Sequence, residues 1–153
     1  MNLYDGELEL EHEVDGFRWR ATRVGERMGA ELLGASLFEL PPGQRTFPYH
    51  FHLGVEEWLV VVSGAPTLRA PDGERVLRAG DAVCFPEGPA GAHQLRNDSD
   101  ESARVLLLST AGGEASVALY PDSGKVGPRA PGYGPTFREA DAVDYWHGEV
   151  AED

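Results

Sequence analysis

One stretch of the chain decides the predicted fold: His50-Phe51-His52-Leu53-Gly54-Val55-Glu56-Glu57-Trp58-Leu59-Val60-Val61-Val62-Ser63-Gly64. Side chains alternate across a strand, so His50 and His52 project from one face toward a common point. Glu57 follows five residues after His52, and His93 lies beyond a Gly-Asp loop and a Pro-x-Gly turn. Three imidazoles and one carboxylate suit a divalent first-row transition ion and fill four positions of an octahedron. We therefore predict a metal site at His50, His52, Glu57 and His93.

The identity of the metal stays open between manganese, iron, zinc and nickel, because all four accept these ligand types. Water or substrate would take the remaining positions. The alternative interpretation is a polar edge of the fold that holds no ion. Burying three histidines and a carboxylate without an ion would carry a desolvation cost, which argues against it. His12 and His147 lie in polar terminal segments and are predicted to be solvated.

Length and charge restrict the class of protein. With 153 residues, of which 41% are hydrophobic, the chain fits one domain, residues 1–153. Twenty-six acidic and thirteen basic residues leave a formal charge of −13, which argues against nucleic acids and anionic membranes as partners. No signal peptide begins the chain, and no apolar run approaches the roughly 18 residues of a membrane span, so we predict a cytoplasmic protein. Cys84 lies in an apolar run and is predicted to be a buried, inert thiol.

Short strand-like segments separated by turn residues predict an all-β fold. Pro71-Asp72-Gly73 is typical of a hairpin tip, and no helical period extends over three turns before residue 135. Strands spaced by about ten residues favour a small β-barrel or sandwich. The predicted strands are Gly16–Val24, Glu31–Leu40, Glu57–Val62, Thr67–Ala70, Glu74–Leu77, Ala82–Phe85, Gln94–Asn97 and Ala103–Ser109.

The C-terminal part of the chain is less regular. Between Ala111 and Thr136 we expect an ordered excursion over the surface, with Ser116–Tyr120 as an edge strand; disorder is the alternative. A short helix is predicted over Phe137–Trp146, with the aromatic pair at its end packed on the body of the protein.

Two motifs in this order resemble those of a single-domain cupin, a member of the double-stranded β-helix superfamily. The first is Pro42-Gly43 followed by His50-x-His52-x4-Glu57-x6-Gly64, and the second is Gly80-x5-Pro86-x-Gly88-x4-His93-x3-Asn97. One extra residue precedes His50 and two extra residues precede His93 relative to the common pattern, in loops that tolerate length changes. The resemblance implies a jelly-roll-like β-barrel with a motif core at 35–109 and a C-terminal extension at 111–153.

The resemblance also implies a ligand set, because His50, His52, Glu57 and His93 match the family's metal ligands position by position. Glu56 is a rival for the carboxylate position. The six-residue spacing to Gly64 favours Glu57, and Glu56 would then support the site from outside the ligand shell. The chain further resembles a bacterial subgroup of small cupins whose members mostly lack an assigned reaction.

Alternation also predicts which neighbours of the ligands face the site. The parity of His93 directs Leu95 and Asn97 inward, and the parity of His50 directs Tyr49 to the outside, where it packs. In the strand after Glu57 both faces are apolar, so both should be covered. An N-terminal segment or a second subunit would bury the outer face, and we predict a homodimer.

Two functions of different classes fit these residues. The first is an enzyme whose ion chelates a small oxygenated metabolite of the sugar, organic acid or diketone type. Isomerase, epimerase, lyase and dioxygenase chemistry all fit, and the catalytic residues stay unassigned because no acid or base stands out beyond the ligands. The alternative is a non-catalytic, metal-dependent protein that binds small molecules. A DNA-binding regulator would need a helix-turn-helix segment that this chain lacks room for.

Overall fold

Antiparallel strands make up nearly all the regular structure of the protein. The computed structural model describes residues 1–110, 115–130 and 132–149. In chain order the elements are β1 (Leu10–Val14), β2 (Phe17–Thr22), α1 (Val24–Met28), β3 (Gly34–Leu40), β4 (Phe51–Leu53), β5 (Glu57–Ser63), β6 (Thr67–Ala70), β7 (Gly73–Val76), β8 (Ala82–Phe85), β9 (Gln94–Arg96), β10 (Ala103–Ser109), β11 (Ser116–Tyr120), β12 (Lys125–Arg129) and β13 (Phe137–Arg138). Single 3₁₀ turns occur at Pro89–Gly91, Pro121–Ser123 and Glu139–Asp141.

The strands form sheets of six, four and three strands, ordered β1-β2-β3-β10-β5-β8, β13-β12-β11-β4 and β7-β6-β9. One buried apolar cluster joins the first and third sheets: Leu59 and Val105 come from the large sheet, and Leu68 and Leu95 from the small one. The six-stranded and three-stranded sheets therefore face each other around a common interior, as expected of an all-β cupin fold. None of the helices in the described ranges is long and apolar enough to cross a membrane.

Most of the predicted strands are confirmed. Thr67–Ala70, Ala82–Phe85 and Ala103–Ser109 agree to the residue. The first predicted strand ends at Thr22, because the short helix α1 begins at Val24. This helix ends at Met28 and is followed by Gly29 in a left-handed conformation with φ of 74°. Alternation is a reliable signal where one strand face is buried, and these strands contribute directly to the core.

The structure contains three strands that the sequence did not predict, namely β1, β12 and β13, and it gives bounds to β4, the strand assumed from the alternation of His50 and His52. The first of these is polar and largely exposed along its length, since it lies at the edge of the large sheet and pairs only with β2. Leu10, His12 and Val14 alternate with Glu11 and Glu13, so its sequence does carry a period-two pattern, which the prediction overlooked.

The C-terminal prediction is partly wrong. Ser116–Tyr120 is a strand, but it pairs with β4 on one side and β12 on the other, so it is not an edge strand. Residues 111–114 and 131 of the predicted excursion lie outside the described residues. The remainder of that excursion forms β11, one 3₁₀ turn and β12, so its described part is ordered.

The helix predicted over Phe137–Trp146 is also wrong. Phe137–Arg138 pairs with β12 as a strand, and only one 3₁₀ turn follows it. Tyr145 and Trp146 are 83% and 59% exposed, so they do not pack on the body of the protein. Pairing with an available sheet edge satisfies backbone groups at Phe137–Arg138 that a short isolated helix would leave marginally stable.

Cys84 is exposed, which corrects the prediction of a buried thiol. It lies on β8, at the edge of the large sheet, on the outer face opposite Trp58 of β5. The inner face of the same strand carries Phe85, which is buried. Partial removal from water and the nearby Glu56 carboxylate raise the pKa of the Cys84 thiol, so it is still a weak nucleophile.

The outer face of β5 is covered over part of its length. Val62 is buried in a second apolar cluster with Leu8 and Val24, so the N-terminal segment covers this end. Trp58, at the other end of the strand, remains 44% exposed. The prediction that both faces are covered is thus confirmed for one end of β5 within a single chain.

Candidate metal centre

Three separate parts of the chain deliver the predicted ligands to one place. His50 precedes β4 and His52 lies within it, Glu57 begins β5, and His93 follows the 3₁₀ turn Pro89–Gly91. His50 and His93 pair as an isolated antiparallel bridge with backbone N–H···O distances of 3.1 and 2.8 Å. The amide of Gly88, where φ is 87°, donates to the carbonyl of His52 at 2.8 Å, which joins the second motif to the first.

The ligand atoms of these residues converge. One side-chain atom from each of His50, His52 and Glu57 lies within 4.8 Å of the others. The Oε2 atom of Glu57 is 3.4 Å from Nε2 of His52 and 3.5 Å from Nε2 of His93. The His50 and His93 rings are 4.6 Å apart between centroids. The structure thus groups His50, His52 and Glu57 within one small volume, and His93 adjoins this group through Glu57 and the His50 ring.

Hydrogen bonds to backbone carbonyls orient two of the imidazoles. Nδ1 of His50 lies 2.9 Å from the carbonyl oxygen of Pro48, and Nδ1 of His93 lies 2.9 Å from that of Gly91. Because a carbonyl only accepts, each Nδ1 carries the proton and each Nε2 keeps a lone pair directed at the site. Nδ1 of His52 is buried and has no partner among the described residues. A divalent ion accepts lone pairs of this kind from Nε2 of His50 and His93, so the imidazoles and the carboxylate fit a metal.

Burial sets the protonation states of this cluster. It lowers the pKa of His52 to about 4, with the charges of His50 and Arg129 adding to the effect, and lowers that of His93 to about 3. Burial also lowers the pKa of His50 and raises that of Glu57 to about 7. At neutral pH the imidazoles are thus uncharged, which is the form that binds metal. The carboxylate is disfavoured by desolvation alone, and a bound cation would offset that cost.

The structure separates the two candidate carboxylates. Glu57 lies half-buried beside the histidines, whereas Glu56 is exposed and accepts a hydrogen bond of 2.9 Å from Nε1 of Trp58 on the outer face. Alternation along the strand forces this difference, since adjacent residues point to opposite sides of a sheet. Among the described residues the Glu56 carboxylate makes its hydrogen bond to Trp58 and none to the histidines, so its supporting role stays a prediction.

A cavity of about 180 Å³ reaches Glu57. Phe38 and Phe47 form its aromatic wall, and Ser36 and Ser109 contribute hydroxyl groups. Ser36 and Phe38 also line a second cavity of about 580 Å³, which extends past Trp19 toward α1. A small molecule could thus reach the carboxylate from outside the barrel.

Several neighbours behave as strand parity predicts. Leu95 and Asn97 are buried, and Asn97 donates from Nδ2 to the carbonyls of Leu40 and Glu101 at 2.9 and 2.7 Å. Tyr49 faces away from the site, with the Arg69 guanidinium 3.9 Å above its ring.

The remaining histidines take no part in the cluster. His12 stacks on Trp19 with centroids 4.9 Å apart, so it is not simply solvated. His147 lies in an exposed turn.

The sequence did not predict the residues that enclose the cluster from the C-terminal side. Tyr120 of β11 stacks on His50 with centroids 5.9 Å apart, and its hydroxyl accepts a hydrogen bond of 3.1 Å from Nη2 of Arg129 on β12. Phe85 stacks on His93 at 3.8 Å. No local pattern pointed to Arg129, because its strand carries a proline and a glycine and was not predicted.

Comparisons with known proteins agree with this fold. Residues 36–109 match the model of the cupin domain family. The structure is similar to that of an Acidithiobacillus ferrooxidans protein provisionally described as a sugar phosphate isomerase, with 29% identity, coverage of 84% of this chain and 81% of that chain, and a TM-score of 0.77. A sugar phosphate isomerase of the cupin superfamily from Silicibacter pomeroyi shares 25% identity, covers 93% of this chain and 94% of that chain, and has a TM-score of 0.80.

A cupin-like protein from Thermotoga maritima shares the fold alone, with 20% identity, coverage of 75% of this chain and 86% of that chain, and a TM-score of 0.60. No curated protein matches this sequence.

Proposed function

Because this chain is a small cupin-domain protein, we propose that it is a metal-dependent enzyme that isomerises a sugar phosphate or a closely related oxygenated metabolite. In this proposal His50, His52, Glu57 and His93 hold one divalent transition ion, and residues 1–153 form a single cupin domain. The sequence and geometry leave the metal open between manganese, iron, zinc and nickel.

The observation that carries the proposal is the convergence of three neutral imidazoles on one carboxylate, Glu57, which also lines a cavity. A bound divalent ion would polarise a carbonyl or hydroxyl oxygen of the substrate. The chain supplies the rest of the environment. Backbone carbonyls orient His50 and His93, Phe85 packs on His93, and the aromatic wall of the cavity excludes water from one side of the ligand.

The substrate class is supported by two similar structures described as sugar phosphate isomerases, at 29% and 25% identity over most of both chains. A sugar carries adjacent oxygen atoms, and adjacent oxygens suit chelation by an ion that keeps open coordination positions. The proposal therefore starts from the binding of a small molecule, and isomerisation is the first reaction to test.

The first experiment is elemental analysis of protein purified without a histidine tag or chelator, beside H52A and the control H147A. We expect near-stoichiometric metal in the native protein and in H147A, because His147 is exposed and far from the cluster, and loss of metal in H52A. Protein that holds no metal even after reconstitution with each candidate ion would sink the metal-site proposal.

The second experiment measures turnover of the metal-loaded protein on pairs of aldose and ketose phosphates, with organic acids and β-diketones as comparison substrates. Interconversion of one sugar phosphate pair that disappears in H52A is the expected result. Binding of a sugar phosphate without turnover would instead favour the non-catalytic, metal-dependent binding protein.

A further inference from the structure

Two serines line the cavity that reaches the candidate metal ligand Glu57, one on the neighbouring strand β10 and one on the next strand, β3. Ser109, the last residue of β10, is the cross-strand partner of Glu57 on one side and of Gly34 on the other. Ser36 of β3 lies opposite Leu107, two residues before Ser109 on the same strand. Both serines line the cavity of about 180 Å³ that reaches Glu57.

Strand parity places both hydroxyls on the inner face. Ser36 shares its face of β3 with Phe38, and Ser109 shares its face of β10 with Val105, and both of these apolar residues belong to the buried core. The serines occupy the positions where this core ends and the cavity begins. An inward polar side chain at such a position has to be satisfied by water or by a ligand.

Neither hydroxyl makes a hydrogen bond to any residue in the ranges 1–110, 115–130 and 132–149, in contrast with neighbours of the same type. The adjacent Thr110 hydroxyl accepts from the amide of Glu56 at 3.1 Å. Ser99 donates to Oδ1 of Asn97 at 2.7 Å and so stabilises a turn. Ser36 and Ser109 have no such partner among the described residues, and both line the cavity that reaches Glu57. Ser109 also borders the hollow beside Trp58, as expected for the last residue of its strand.

Gly34 provides the space that the Ser109 hydroxyl occupies. A Cβ atom built on Gly34 would lie 2.5 Å from Oγ of Ser109, which is closer than real Cβ contacts allow. Gly34 is not among the glycines with positive φ, so its backbone does not require glycine. The presence of glycine at position 34 is therefore explained by the space that it leaves for the Ser109 side chain, next to the candidate metal ligand Glu57.

The rest of the cavity defines the chemistry of the ligand. Among the described residues that line it, Glu57 alone is ionisable, and Phe38 and Phe47 present apolar aromatic surface. Such a lining accepts an uncharged group that carries hydroxyls on one side and C–H bonds on the other. The hydroxyl-bearing carbon chain of a sugar has this character, whereas a phosphate would find no cation here.

We infer that Ser36 and Ser109 are specificity-determining residues that bind hydroxyl groups of a sugar while its reacting carbon lies beside Glu57. This inference rests on the proposed function and deepens it. No cation among the described residues lines this cavity, so the phosphate of a sugar phosphate is expected to remain outside it. The serines discriminate against deoxy sugars, because a missing hydroxyl leaves their own groups unpaired.

Calorimetric titration of the metal-loaded protein with fructose 6-phosphate and ribose 5-phosphate tests the inference. S36A and S109A should each weaken binding of the better probe about tenfold, which is the size expected for one lost hydrogen bond. S123A is the matched control, because Ser123 lies on an exposed 3₁₀ turn outside this cavity. Metal content should be equal in all four proteins.

A double-mutant cycle with Gly34 separates a specific role of Ser109 from general damage. G34A should displace the flexible Ser109 hydroxyl and weaken binding about as much as S109A. The double variant G34A/S109A should bind no more weakly than either single variant, because the displaced group is already absent. If the losses of binding free energy in G34A and S109A add up in the double variant, the two substitutions do not act through the same hydroxyl group.

Deoxy probes give an independent reading. A monodeoxy analogue that binds more weakly than its parent to the native protein should bind to S36A or to S109A as tightly as the parent does. If the native protein binds sugar phosphates but S36A and S109A leave the affinity unchanged, the role of the serines is overturned and the proposed function survives. If the native metal-loaded protein binds neither probe, the proposed function fails and the inference fails with it.

Discussion

His50 and His93 lie opposite each other in an antiparallel bridge, and their backbones exchange two hydrogen bonds of 3.1 and 2.8 Å. The bridge joins the two motifs directly at the candidate metal centre. It holds the two rings 4.6 Å apart, while carbonyl groups two residues earlier in each segment fix both ring orientations. The geometry of the cluster is thus set by the backbone as well as by side-chain packing, which favours a preorganised site.

Metal binding should stabilise the folded protein. An ion that binds only the folded state adds about 2.7 kcal/mol to the free energy of unfolding when it is present at about 100 times its dissociation constant. Urea unfolding with metal and with excess chelator measures this difference. H52A should show no difference between the two conditions, and an equal gain in H52A would mean that the ion binds elsewhere.

The metal-free protein should show an unusual dependence on pH that comes from Glu57. Burial raises the pKa of this carboxyl from 4.5 to about 7, so between these values the folded protein keeps a proton that the unfolded chain has lost. The folded state then binds more protons, and stability from this group falls as pH rises through that range. E57Q lacks the titration, so its stability relative to the native protein should increase from pH 4.5 to about 7.

Chemical unfolding of the native protein and E57Q, both metal-free and with chelator present, measures how their difference in stability changes with pH across this range. Burial lowers the pKa of each histidine in the native protein. E57Q keeps a side chain of the same size, so we expect the histidine contribution to stability, which falls as the pH is lowered, to cancel in the comparison. A stability difference that is independent of pH would contradict the raised pKa of Glu57.

Phe85 should influence metal affinity through His93. Its ring stacks on the imidazole with centroids 3.8 Å apart and an interplanar angle of 9°. F85L keeps an apolar side chain but loses the flat contact that holds the ring, so metal affinity should fall about tenfold. The stability cost should be about 1 kcal/mol, since most of the apolar volume is retained.

F38L is the matched control, because Phe38 is also a buried aromatic residue but packs on Trp19 and Phe47 rather than on a candidate ligand. It should cost similar stability and leave metal affinity unchanged. Equal losses of metal affinity in both variants would mean that general loosening of the core, and not the contact with His93, governs binding.

Trp58 is predicted to lie in a subunit interface. Its side chain is 44% exposed on the outer face of β5, beside Leu33 and Leu108 in a hollow of about 240 Å³. Large aromatic side chains often dominate the energy of interfaces, and a charge at their centre is strongly unfavourable. Light scattering should therefore give the mass of a dimer for the native protein and of a monomer for W58E.

W146E provides the comparison, because Trp146 is also exposed but lies in the C-terminal turns. It should keep the mass of the native protein. A native protein that is monomeric at high concentration would refute the predicted homodimer.

Much of the candidate site followed from local sequence. The alternation of side chains along a strand was enough to group His50 with His52, to send Tyr49 outward and to direct Leu95 inward. Spacing within the resemblance chose Glu57 over Glu56, and the structure puts only Glu57 beside the histidines. These inferences succeeded because the period of a strand is a property of neighbouring residues.

Other features could not be read from the chain. Cys84 has an apolar sequence neighbourhood yet is exposed, because β8 lies at a sheet edge. Phe137–Arg138 joins β12 instead of starting a helix, and Tyr120 and Arg129 come to the site through the pairing of β11 with β4. In each case the outcome depends on which strand, distant in sequence, pairs with the segment.

The sequence by itself thus determined the positions of the core strands and the types of the candidate metal ligands, because alternation and motif spacing are encoded locally. Only the tertiary structure decided which strands are edges, how β12 and β13 complete the four-stranded sheet, and that Ser36 and Ser109 line the same cavity as Glu57. Those contacts join residues far apart in the chain, and their free energy comes from burial and backbone pairing that no local pattern records.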